Sequence, residues 1–156
     1  MLKISRLADY SIVLLLHAAE DGAGIHTARG LAKATSLPLP TVTKILKALA
    51  RHGILGSQRG KTGGYRLTRP VEQISVVDVI TAIDGKPAMT QCTEEAQAPC
   101  ERASFCRTKG HWRQVHETVL TALETLTLAD MAQPATNWAP AGALVSLANR
   151  GRRNKL

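Results

Sequence analysis

Aromatic side chains make up only 3% of this 156-residue chain: two tryptophans, two tyrosines and one phenylalanine. Its core must therefore be assembled mainly from Leu, Val, Ile and Ala. Long apolar runs are missing too. The run at residues 12–16 is bordered by Asp9, Tyr10, His17, Glu20 and Asp21, and it falls far short of the roughly 20 residues a membrane helix needs. No membrane partner is expected. No signal-peptide pattern opens the sequence, which predicts a cytoplasmic location. Paired-carboxylate and nucleophile–base motifs are absent, and no small-molecule substrate is expected. Residues 60–64 are rich in glycine but lead from one strand pattern into another, whereas a phosphate-binding P-loop must open a helix. An enzyme is not predicted.

A further absence concerns charge of one sign. Residues 22–71 contain no Asp or Glu, yet hold Arg29, Lys33, Lys44, Lys47, Arg51, Arg59, Lys61, Arg66 and Arg69. The segments on either side lean acidic until a basic end at Arg150, Arg152, Arg153 and Lys155, and the whole chain carries +8. Such segregation is expected where one surface neutralises phosphates and another has a different task.

Periodicity supplies the organisation. Residues 7–19 are apolar nearly all round and predict a buried helix, ended by Asp21, Gly22 and Gly24. Thr27 predicts the N-cap of a short helix reaching about Ala34, with a turn at Thr35 and Ser36. A longer helix begins near Pro38 and Pro40, since first-turn amides have no intrahelical acceptor to lose. Within it Val42, Ile45, Leu46 and Leu49 form one apolar stripe, opposite Thr41, Thr43, Lys44, Lys47, Ala48 and Arg51. Gly53 stops it. Short helix, tight turn, then a longer helix with a basic outer face is a helix-turn-helix.

Residues 54–59 and 65–68 then predict a hairpin around a loop at 60–64, with Pro70 closing the unit. A basic hairpin directly after a recognition helix is a wing. Arg59 and Lys61 flank its tip, where a narrow minor groove would attract them. Ser75 and Asp78 make a capping box for a helix with Val76, Val79, Ile80 and Ile83 on one face. Periodicity fades from Lys86 to Lys109 and resumes at His111, with Trp112, Val115, Val119, Leu123 and Leu126 in one stripe. Thr127 and Asp130 predict a second cap and a short helical turn. A lone amphipathic helix needs a surface for its stripe, and the same helix in a second subunit is the economical one. The fold class is thus mainly α with a small β-hairpin wing. A winged helix-turn-helix DNA-binding domain spans 1–85, a cysteine loop 86–110, a dimerisation helix 111–131 and a disordered tail 132–156.

The three cysteines, Cys92, Cys100 and Cys106, are spaced C-x7-C-x5-C in that loop. An odd number argues against a disulfide framework. Their neighbours are polar, among them Thr93, Glu94, Glu95, Gln97, Glu101 and Arg102, so they are not core cysteines. Gathered thiolates suit a soft metal or an iron–sulfur cluster, and the gaps are wide for a zinc knuckle. Cluster, zinc and cofactor-free thiol sensor all remain open on spacing. His111 or Asp9 could complete a fourth position, and either also makes sense as an ordinary helix-start residue.

These features together resemble the iron–sulfur winged-helix regulators of the IscR, NsrR and RirA type, and among them the regulators of SUF-system cluster assembly. The likeness rests on residues 4–10 (Ile-Ser-Arg-Leu-Ala-Asp-Tyr), Arg59-Gly60 with Gly63-Gly64-Tyr65-Arg66-Leu67, residues 74–80, the three cysteines and Trp112. It covers residues 1 to about 131. The resemblance implies a dimeric transcription regulator of double-stranded DNA with a dyad operator. Thr41, Thr43, Lys44 and Lys47 would enter the major groove, and Arg59 would reach the minor groove. Cys92, Cys100 and Cys106 would hold the cluster, [2Fe–2S] ahead of [4Fe–4S]. One departure matters: Lys109 stands where IscR-type chains have a histidine ligand. Asp9 falls where NsrR-like proteins offer an aspartate from the partner, so Asp9 in trans is preferred as fourth ligand and His111 comes second. A nitric oxide or redox sensor on the same scaffold, or a structural zinc site, is the alternative.

Overall fold

The computed structural model describes residues 4–20, 24–60, 63–93 and 100–134. Lys61 and nearly all of the expected 132–156 tail lie outside them. Helix α1 (Arg6–Glu20) buries Ala8, Ile12, Leu14, Leu15 and Ala18, as its apolar circumference requires. Ser11 is buried with them, its hydroxyl donating to the Leu7 carbonyl at 2.6 Å. At its start Ser5 accepts from the Ala8 amide (3.1 Å) and donates to Asp84 (2.7 Å), which ties the helix to a distant part of the chain.

Helix α2 (Ala28–Thr35) is capped by Thr27, which accepts from the Gly30 amide at 3.0 Å. It ends at Ser36, a left-handed residue (φ 57°) whose amide returns to the Ala32 carbonyl. The tight turn leads to α3 (Leu39–Arg51), with Pro40 in its first turn. The predicted stripe of Val42, Ile45, Leu46 and Leu49 is fully buried against α1, α2 and the later helix α4 (Val76–Asp84). Gly53 takes φ 71° just beyond the C-cap, the stop expected of it.

Strands β1 (Leu55–Gln58) and β2 (Gly64–Leu67) pair antiparallel, Leu55 opposite Leu67 and Gln58 opposite Gly64. The loop is therefore 59–63, one residue earlier than the sequence suggests. Gly64 joins the strand because its backbone lies against His26, where any side chain would collide. At the base of the hairpin, Thr68 Oγ1 donates to the Gly53 carbonyl at 2.6 Å.

A 3-10 turn (Val71–Gln73) precedes α4, whose capping box of Ser75 and Asp78 is present as expected. Asp78 also pairs with Arg69 at 3.3 Å. After a second 3-10 turn (Gln91–Thr93) come α5 (Lys109–Thr125) and α6 (Leu128–Ala132). The segment 111–131 thus holds two elements with different neighbours. No α5 side chain is fully buried, whereas Leu128 of α6 is completely enclosed in the same core as the stripe of α3. The Val76 amide donates to the Leu126 carbonyl (2.8 Å) and the Leu128 amide to the Ile74 carbonyl (2.9 Å). Two capping boxes therefore meet across an antiparallel bridge between Ser75 and Thr127. The backbone amide and hydroxyl of Thr127 hold the Asp130 carboxyl below its ordinary range.

Leu128→Ala should lower stability by about 2–5 kcal/mol, the usual cost of truncating an enclosed leucine. Urea unfolding monitored by circular dichroism measures it. An unchanged midpoint would show that α6 is no part of the core.

Candidate nucleic-acid interface and cysteine loop

Because the apolar stripe of α3 is sunk in the core, its opposite side faces outward. Lys44, Lys47 and Arg51 are exposed there, while Thr41 and Thr43 are half-buried. An open groove of about 420 Å³ separates α3 from the hairpin, lined by Lys44, Lys47, Ala50, Arg51, Ser57 and Tyr65. Among the described residues no carboxylate lines it. A concave surface with three cations on one wall suits a phosphate backbone. Arg59 is exposed at the first loop position after β1. Arg51, Ser57 and Tyr65 were not among the expected DNA contacts. Arg51 was legible as the last outward cation of the helix, but the strand residues become groove lining only once the hairpin is placed.

The wing is held at two edges. Besides its β1–β2 ladder, the His26 and Tyr65 backbones exchange hydrogen bonds of 2.8 Å in each direction, adding an isolated antiparallel bridge before α2. Glycine is required at Gly64 for this, and at Gly63 for the hairpin loop itself. A Cβ on Gly64 would lie 2.5 Å from the His26 carbonyl oxygen and 2.7 Å from the Ile25 side chain. One on Gly63 would strike the Gln58 carbonyl oxygen.

The cysteine loop presents a different chemistry. Cys100 and Cys106 are both free and half-buried in the stretch preceding α5. Cys106 Sγ lies 3.3 Å from Thr108 Oγ1. That hydrogen bond is the main cause of a lowered Cys106 pKa, with the Thr108 and Lys109 backbones and the Lys109 charge adding to it and burial opposing. The thiolate is the form that binds metal, so this environment suits a ligand. Cys92 belongs to the Gln91–Thr93 turn packed against α5, but its side chain and residues 94–99 lie outside the described residues. Among the described residues no three His, Cys, Asp or Glu side chains gather into a metal site. Asp9 is exposed in the first turn of α1, and His111 is exposed in that of α5. Lys109 opens α5.

A recognition helix seated on a buried stripe, a basic groove and a glycine-clamped hairpin define a winged helix-turn-helix regulator that binds DNA. The chain belongs to the Rrf2 family, described as iron-dependent transcriptional regulators, whose pattern matches residues 4–134. It is 27% identical over 131 residues to the transcriptional regulator IscR of Sodalis glossinidius, covering 83% of this chain and 78% of that protein. Among solved structures it resembles IscR of T. potens, with 27% identity, a TM-score of 0.60, and 83% and 85% of the two chains covered. It is similar also to CymR, the global cysteine regulator of B. subtilis (26% identity, TM-score 0.63, 85% and 97% covered). Its relatives regulate transcription and are not enzymes. Among the described residues no helix is long and apolar enough to cross a membrane.

Gly64→Ala should destabilise the protein by about 1–3 kcal/mol, the usual range for overpacking, and should weaken DNA binding as the wing leaves residues 25–26. Thermal unfolding and a DNA mobility shift test this. A variant matching the parent in both would remove the clamp from the account.

Proposed function

We propose that this chain is a homodimeric cytoplasmic regulator whose grip on a dyad operator changes with the state of an iron–sulfur cluster. Cys92, Cys100 and Cys106 would hold it, with Asp9 of a second copy as fourth ligand and His111 as the alternative. The observation that carries this reading is the gathering of every thiol in the chain into one polar loop beside an Rrf2-type DNA-binding domain. The donor set fits: soft thiolates suit iron and sulfide, and Cys106 is eased toward its thiolate by Thr108. A bound cluster supplies a cross-link sensitive to iron and oxidants, and an oxygen ligand makes it easier to lose than four cysteines would.

The chain's own residues do the rest. Lys44, Lys47 and Arg51 neutralise phosphates along the groove, Thr41 and Thr43 face the major groove, and Arg59 and Lys61 reach the minor groove. The exposed Trp112 and Val115 of α5, at 43% and 42%, support pairing with the same helix in a second copy. Two recognition helices then meet successive grooves of one duplex. The likeness to IscR and the SUF-type resemblance favour cluster-assembly genes as targets, with [2Fe–2S] ahead of [4Fe–4S]. A second reading, a cofactor-free thiol switch, draws on the lowered Cys106 pKa and on the likeness to CymR of Staphylococcus aureus, which has been solved in an oxidized form.

Anaerobic purification with iron and sulfide counting, followed by operator binding before and after cluster removal, separates the two. Brown protein whose binding changes on removal supports the cluster. Colourless protein whose binding responds only to thiol oxidation supports the switch. Cys100→Ala should lose iron and visible absorbance together, and a full iron complement in that variant would strike Cys100 from the ligands. Arg59→Ala should weaken operator binding by about 1–3 kcal/mol. Unchanged affinity in a mobility shift would refute a minor-groove role.

A further inference from the structure

In a helix-turn-helix the first residues of the recognition helix approach base edges. Here that tip is Pro38, Leu39 and Pro40, all exposed, with Leu39 39% accessible. An exposed leucine alone means little. The company it keeps gives it meaning. Between Lys33 and Arg51 there is no Arg, Asn, Gln, Asp or Glu. Bidentate reading of adenine takes Asn or Gln, and of guanine Arg or Lys. Lys44 and Lys47 can therefore reach guanine or phosphate, but adenine has no bidentate reader on α3.

An A·T pair keeps one other mark in the major groove, the thymine C5-methyl group, whose partner is an apolar side chain. Leu39 offers that surface, and Thr43, four residues on and so on the same face, adds its own methyl. Pro38 and Pro40 lack amide protons, and the Val42 amide donates to the Pro38 carbonyl at 3.0 Å. The tip is thus poor in donors and rich in carbon. Just behind it, Lys44, Lys47 and Arg51 supply the charge that would press this apolar end against a duplex. We propose that Leu39, with Thr43 beside it, is a specificity-determining residue that reads thymine methyl groups, so that the operator carries thymine under the tip of each recognition helix. This rests on the DNA-binding reading above.

The test uses duplexes enriched from a random library by the full chain. Each enriched duplex is synthesised with thymine and again with uracil, which lacks the methyl, one position at a time. Uracil at the contacted position should weaken wild-type binding roughly fourfold per methyl left uncovered, from the transfer free energy of one buried carbon group. Leu39→Ala should lose most of the difference between the thymine and uracil duplexes, while Leu39→Met should keep it. Should Leu39→Ala misfold by circular dichroism, the wild-type and Leu39→Met comparisons decide alone. Equal wild-type affinity for thymine and uracil at every position overturns the proposal and leaves DNA binding intact. Failure to enrich or bind any duplex overturns both.

Discussion

The fold depends on one stripe of four side chains. Val42, Ile45, Leu46 and Leu49 are all but sealed from water, and they set the rotation of α3 about its own axis. Burying each of these contributes about 1.5–3 kcal/mol relative to exposure, so turning the helix by even a quarter would cost most of that. The consequence lies on the other side. A helix fixed by its apolar face has its outward face fixed too, and Lys44, Lys47 and Arg51 inherit their position from residues that never see solvent. The neighbouring constraints serve the same end. Ser5 and Asp84 tie α1 to α4 beneath the stripe, and Thr68 closes the hairpin onto the end of the α3 turn.

Much of this was legible in the amino-acid order because it is local. A helical period of 3.6 can be counted in residues 42–49, and the cap at Thr27 and both capping boxes are short patterns with a hydrogen bond behind each. The hairpin boundary slipped by one position because a contact from outside the hairpin decides it. Two adjacent glycines read as a loop, yet the second is in the strand, where the approach of His26 demands a residue without a side chain. The destination of α6 was hidden for the same reason. Thr127 announces a helix start, but nothing in the segment tells that Leu128 will drop into a core built from residues 8–82.

The basic groove and the cysteine loop differ in how far residues alone carry them. Cations on α3 could be placed by periodicity, and only their companions on the strands needed coordinates. The loop has no period, and its chemistry depends on which thiols converge. Thr108, two residues beyond the last cysteine, plays no part in the reading of the sequence, yet its hydroxyl shapes the acidity of Cys106. A hydroxyl at that spacing is a signal that a search for ligand types alone passes over.

The bridge between Ser75 and Thr127 has a mechanical consequence. Helix α5 (Lys109–Thr125) runs directly into that bridge. Here its far end is stitched back into the same body, with Leu126 and Leu128 bonded on either side of the α4 start. Along its length it also packs against α4 and the Gln91–Thr93 turn. A helix held in this way cannot tilt without loading the body that carries the recognition helix.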